Sequence, residues 1–228
     1  MADIFQRPNE EQVKEWYRWA LSLNHKKNPF DPSDGGRNWK VNNNDESLIW
    51  LAGVTGRIPR EKAVQNLDDI GVSTVLYDDG QRNLSSALPN IVPRKIDIKD
   101  DPRNLFIPVL TEYSTREEYS GLEGISLSDI AKKIIDREDD DKGIPPASVD
   151  LDDTKQLTGQ DLKNNYLVEG TIDDDDDNVF LLPRKLTAAF SGYYVILNRK
   201  ALESGEHTLK FGVKGRYFNY EMEYKIAA

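Results

Sequence analysis

Apolar residues recur along this chain with two different periods. Near the start, Val13, Trp16, Tyr17, Ala20 and Leu21 fall at i, i+3, i+4, i+7 and i+8, the stripe of a helix with one buried face. The pattern predicts a helix over 9–23, with Asn9 as its cap and Gln12 as the capping-box partner. A second stripe, Leu127, Ile130, Ala131, Ile134 and Ile135, predicts another helix within SLSDIAKKIIDRED, capped by Ser126 or Ser128. Almost everything else is short and strand-like. SLIWLAGV, VSTVLY, IVPRKIDIKDDP, LFIPVL, ASVDL, NYLVEGTI, NVFLLP, YYVIL and HTLKFGV are apolar or alternating runs closed by Gly, Pro or Asp. In a final run, YFNYEMEYKI, the residues Phe218, Tyr220, Met222, Tyr224 and Ile226 share one face of a strand.

Many short strands separated by turns predict a mainly β, α+β fold. The expected architecture is an antiparallel β-sandwich, jelly-roll or immunoglobulin-like, carrying an N-terminal amphipathic helix and a mid-chain helix. The 228 residues suffice for one domain with a substantial core. DDDKGIPP marks a candidate sub-boundary near 139–146.

Charge narrows the partners. Forty acidic against 30 basic residues give a net charge of −10, which repels nucleic-acid phosphates, so no nucleic-acid partner is expected. No apolar run is long enough for a membrane span. With no cysteine, disulfides, thiolate nucleophiles and Cys-type zinc sites are excluded. MADIFQRPNEEQ has no apolar signal-peptide core; if Met1 is the native start, a cytoplasmic or leaderless-export location is expected.

Of the 40 acids, 25 are aspartate, a residue suited to turns, caps and cation sites. The run Asp173, Asp174, Asp175, Asp176 and Asp177 is the sharpest anomaly, since five contiguous like charges repel unless counter-ions collect them. It does not fit an EF-hand, because position 6 is Asn178 and position 12 is Arg184. Two expectations stand side by side: the run stays extended and solvated as a hairpin tip, or it binds calcium in an irregular site with Asp31, Asp34, Asp152 and Asp153 as further oxygen donors. No other cofactor is expected, and no phosphate-cradle, dinucleotide or nucleophile-elbow motif occurs.

Two histidines invite a catalytic reading. His25 lies in a basic patch with Lys26 and Lys27, where cations complement a helix C-terminus. His207 follows Glu203-Ser204-Gly205-Glu206. A catalytic histidine needs an orienting carboxylate and a nucleophile in reach, and sequence neighbours on a strand point to opposite faces. His207, Gly205 and Tyr193 are therefore expected to build a structural corner.

The blocks WYRW, NPFDPSDGG, LIWLAGVTG, LFIPVL with STREE downstream, and SGYYVIL leading to ESGEHTLKFG occur in that order. TGQDLKNNYLV adds a hairpin-like block between the last two. Taken together, the chain resembles a broad family of uncharacterised, mostly exported microbial β-rich proteins. That family closes on an S-D-G-Y-W block followed by P-G-x-H-T-I-x-F-x-G. The resemblance implies a β-rich fold with helical decoration and an extracellular location, and it carries no activity. The chain departs from the pattern in lacking cysteine, in reading SGYYV for SDGYW, and in placing Ser204-Gly205 at the Pro-Gly corner.

The resulting functional expectation is a non-catalytic structural or interaction protein that forms homo-oligomers through β edges, with calcium as a stabiliser. A carbohydrate-binding module is the alternative, in which Trp39, Trp50 and Tyr194 stack on a polysaccharide. A hydrolase built on His207 and a carboxylate is the weaker alternative.

Overall fold

The computed structural model describes residues 4–22, 47–52, 64–67, 72–75, 93–115, 124–136, 146–162, 168–172, 186–214 and 219–228. It is mainly β, with few helices. One sheet contains β1 (Phe5–Gln6), β2 (Leu48–Trp50), β6 (Asn104–Thr115), β9 (Val168–Ile172) and β10 (Leu186–Leu197). A second runs in the order β5 (Arg94–Asp97), β12 (Asn219–Ala227), β11 (Glu206–Lys214), β7 (Ala147–Leu151), β8 (Lys155–Thr158). A separate hairpin pairs β3 (Val64–Leu67) with β4 (Val72–Val75). Both sheets are mixed: β2 runs parallel to β6, and β5 runs parallel to β12. Those two pairings depart from a purely antiparallel sandwich.

Alternation along the strands builds the layers. Leu105, Ile107 and Val109 of β6, with Tyr193, Val195 and Leu197 of β10, face Leu209, Phe211 and Val213 of β11 and Met222, Tyr224 and Ile226 of β12 in one buried cluster. The intervening residues Phe106, Tyr194 and Ile196 point the other way. There they meet the first helix, α1 (Glu10–Leu21), through Val13, Trp16, Tyr17, Trp19 and Ala20. The first sheet is thus apolar on both faces. The second keeps a polar outer face, where Lys210 stands between Asp150 and Glu223 across three strands.

The helix termini follow the sequence closely. Asn9 Oδ1 accepts from the Gln12 amide at 2.9 Å, and Gln12 Oε1 accepts from the Asn9 amide at 2.9 Å. The second helix, α2 (Leu127–Asp136), is capped by Ser126, whose Oγ accepts from the Asp129 amide at 3.0 Å. Its Leu127, Ile130 and Ala131 pack on Ala189. A single helical turn, α3 (Gly159–Leu162), follows β8.

Strand β6 carries an irregularity that proline explains. Tyr193 pairs with Leu110 and Tyr194 with Pro108, so Val109 is an extra residue in the ladder. Pro108 cannot donate a ladder hydrogen bond, and bulges are among the few sheet positions that accept it. The bulge also turns Val109 and Leu110 both into the inter-sheet core.

The segment 139–146 does not separate the two sheets, since β5 and β6 before it pair with β12 and β10 after it. The predicted NVFLLP strand and the NPFDPSDGG block lie outside the described residues. No described helix is long and apolar enough to cross a membrane.

Candidate functional site

The β7–β8 connection is built by two aspartates. Asp152 and Asp153 have φ of 56° and 53°, and the Thr154 amide donates to the Leu151 carbonyl at 3.1 Å. Two successive left-handed residues make the hairpin turn whose twist suits flanking strands, a conformation that Asp tolerates better than most side chains. This turn swings the Asp152 carboxylate against the start of β11. Asp152 Oδ1 accepts from the Thr208 amide at 2.7 Å, and Oδ2 lies 2.6 Å from His207 Nδ1. The other ring nitrogen, Nε2, lies 2.9 Å from the Glu203 carbonyl oxygen.

Both imidazole nitrogens therefore face acceptors. A neutral imidazole has one N–H to give, and only the doubly protonated ring donates to both. Burial alone pushes the His207 pKa down. The hydrogen bonds to Asp152 and to the Glu203 carbonyl outweigh that and hold it above the ordinary histidine value. Burial likewise pushes the Asp152 carboxyl up, but its bonds from His207 and the Thr208 amide leave it below the usual carboxylate value. The pair is a charged clasp, 15% and 36% exposed at its two side chains. Chemically it differs from a Ser-His-Asp relay, in which Nε2 would face a hydroxyl instead of a main-chain carbonyl.

Gly205 sits in the same corner with φ 147°, a conformation that favours glycine. Its amide donates to the Ala228 carbonyl at 3.1 Å, and its carbonyl accepts from the Ala228 amide at 2.8 Å. Tyr193 lies elsewhere, in the inter-sheet core on β10.

Asp152 and Asp153 have partners within the chain: His207 and the Thr208 amide for the first, and Lys210 Nζ at 3.1 Å for the second. Among the described residues no three His, Asp or Glu side chains gather as a metal site would need. Asp173, Asp174, Asp175, Asp176, Asp177, Asp31 and Asp34 lie outside the described residues, as do His25 and Trp39. The calcium expectation rests on those aspartates.

The expected stacking role of Trp50 and Tyr194 is corrected by their burial, 2% and 3% exposed. Trp50 packs edge-on to Phe106. Tyr194 lies among Trp16, Tyr17 and Phe106, with its hydroxyl 2.6 Å from that of Tyr17. Sugar stacking needs an open ring face, and both rings are enclosed by their own core.

A second polar cluster escaped the sequence reading. Arg94 is fully buried. Its Nη1 donates to the Ala52 carbonyl at 3.1 Å and to the Tyr224 hydroxyl at 3.0 Å, and that hydroxyl donates to the same carbonyl at 2.8 Å. The neighbouring Leu51 carbonyl accepts from the Trp16 indole at 3.1 Å. The segment leaving β2 is thus tied to α1 on one side and to the second sheet on the other. The signal was available: Arg94, Ile96 and Ile98 share one parity, so Arg94 stands on the apolar face of its strand.

Comparison with protein-family models, with curated proteins and with solved structures gave no match for this chain, which leaves its own geometry as the ground for a functional reading.

Proposed function

We propose that this chain is a non-catalytic structural or interaction protein that associates with copies of itself through the strand edges of its sandwich. The observation that carries the reading is how the second sheet ends. Among the described residues β5 pairs on one side only, with β12. The Ile98 amide donates to the Ala227 carbonyl at 2.8 Å. By alternation the amides of Arg94 and Ile96 also face β12, and those of Lys95 and Asp97 face outward. Such an edge is a template for another strand.

The polar cluster at His207 supports the same reading, because its donors and acceptors are spent on holding a turn and a corner. Sedimentation velocity over about 10 µM to 1 mM protein tests it, with parallel runs in calcium and in chelator. Concentration-dependent dimers or larger species are expected, more populated in calcium if the Asp173–Asp177 run collects cations. A single monomeric species at every concentration in both media overturns the reading.

A further inference from the structure

Strand β5 is short, and its exposed positions are Pro93, Lys95, Asp97 and Lys99. Its inward positions, Arg94, Ile96 and Ile98, are buried. Consider this edge meeting a second copy of itself about a two-fold axis, the commonest symmetry of homodimers. Residues with outward amides must face each other, which leaves a small set of antiparallel registers.

Centred on Ile96, Lys95 stands opposite Asp97 of the second copy, and Asp97 opposite its Lys95. Both are hydrogen-bonded pairs, giving four main-chain bonds and two opposite-charge pairs on the exposed face. A shift toward the start of the strand, centred on Lys95, sets Lys95 against Lys95 and Asp97 against Pro93, which has no N–H to give. A shift the other way, centred on Asp97, sets Asp97 against Asp97 and Lys95 against Lys99. Like charges directly opposite are destabilising, so the neighbouring registers are excluded by the same residues that favour the first.

We infer that β5 is a self-complementary docking edge, and that a second copy of this chain adds there in antiparallel register about Ile96. The inference rests on the self-association proposed above and specifies its site and register. The added strand continues the second sheet across the axis, with the Lys95–Asp97 pairs on the same outer face as Lys225 and Glu223. Asp97 retains capacity for this contact, because Oδ1 accepts from the Lys99 amide at 3.2 Å and a carboxylate offers a second oxygen. Alternating Lys and Asp also guards the edge against unrelated strands, whose charges would not match.

Charge reversal reads the register directly. Asp97→Lys places Lys opposite Lys twice, and Lys95→Asp places Asp opposite Asp twice. Each is expected to raise the dimer dissociation constant at least about tenfold. The double variant Lys95→Asp/Asp97→Lys restores both opposite-charge pairs and should return it to within about threefold of the wild-type value. Both substitutions are on exposed positions, and an unchanged melting temperature under dilute conditions confirms that each variant is folded. If the wild-type chain dimerises and the single reversals leave the constant unchanged, or the double variant fails to restore it, the β5 register is wrong while self-association stands. A wild-type chain that stays monomeric overturns both.

Discussion

The carbonyl of Leu110 and the backbone of Gly192 approach so closely that a Cβ on Gly192 would fall inside the contact limit of the oxygen. The bulge at Val109 explains the approach, since it sets the Leu110 peptide beside β10 at the residue after which the register shifts. The Tyr194 ring also lies over Gly192, filling the space a side chain would take. Gly192→Ala forces a backbone oxygen to move in a two-sided core, and a cost of about 3 kcal/mol or more is expected. Urea unfolding measures it. A loss below about 0.5 kcal/mol would show that the bulge relaxes freely.

The residue before it carries the opposite expectation. Ser191 is fully buried, and its hydroxyl has no hydrogen-bond partner among the described residues. A buried polar group without a partner loses its solvation and gains nothing in return. Ser191→Ala is therefore expected to raise stability by about 1 kcal/mol, seen as a higher urea midpoint at unchanged slope. A drop of similar size would mean that the hydroxyl is satisfied after all.

How much of this architecture can be read from the sequence depends on the range of the cause. Helix α1 and its capping box are local, so Asn9 and Gln12 announce them. Strands β7, β11 and β12 alternate cleanly, and their inward residues follow by parity. Strand β8 is another matter: KQLT has no apolar alternation, and only pairing with β7 makes it a strand. The parallel placement of β5 beside β12 joins segments more than a hundred residues apart, which no local pattern encodes. The same holds for the clasp. The sequence marks His207 as a corner residue, but its partner Asp152 is 55 positions away. Asp152 looked like a cation ligand because composition alone cannot tell a carboxylate spent on an imidazole from one left for a metal.

Arg94 offers a test of long-range tethering. Arg94→Met keeps much of the side-chain volume but removes a donor from both the Ala52 carbonyl and the Tyr224 hydroxyl. A destabilisation of about 2 kcal/mol is expected, in the range for losing hydrogen bonds donated by a charged group. Tyr224→Phe, which removes only the hydroxyl, should cost about 1 kcal/mol. The two changes share the Ala52 carbonyl, so their effects should not add, and a double-mutant cycle reads the coupling. Strict additivity would place the two side chains in separate roles.

The His207–Asp152 clasp gives stability a defined pH dependence. The folded-state pKa of His207 is raised, so its contribution is complete below the unfolded value of about 6.5 and is lost as pH rises through the folded value. Asp152 is lowered, so its contribution is present above about 3.9 and is lost as pH falls through its folded value. The full ion pair therefore operates between about pH 4 and 6.5. The charged groups acting on it are Arg199 near the imidazole and Lys225 near the carboxylate. His207→Gln should be less stable than the wild type at pH 5.5, with the difference shrinking steadily toward pH 8.5. Asp152→Asn should likewise be less stable than the wild type at pH 5.5, with a difference that shrinks as pH rises, while the turn keeps an oxygen for the Thr208 amide. Urea midpoints of the three proteins across pH 4 to 9 decide the matter, on the roughly half-unit steps that a single histidine titration requires. A wild-type advantage that grows above pH 7 would mean that the ring is neutral in the folded protein and that one of its two contacts is not a hydrogen bond.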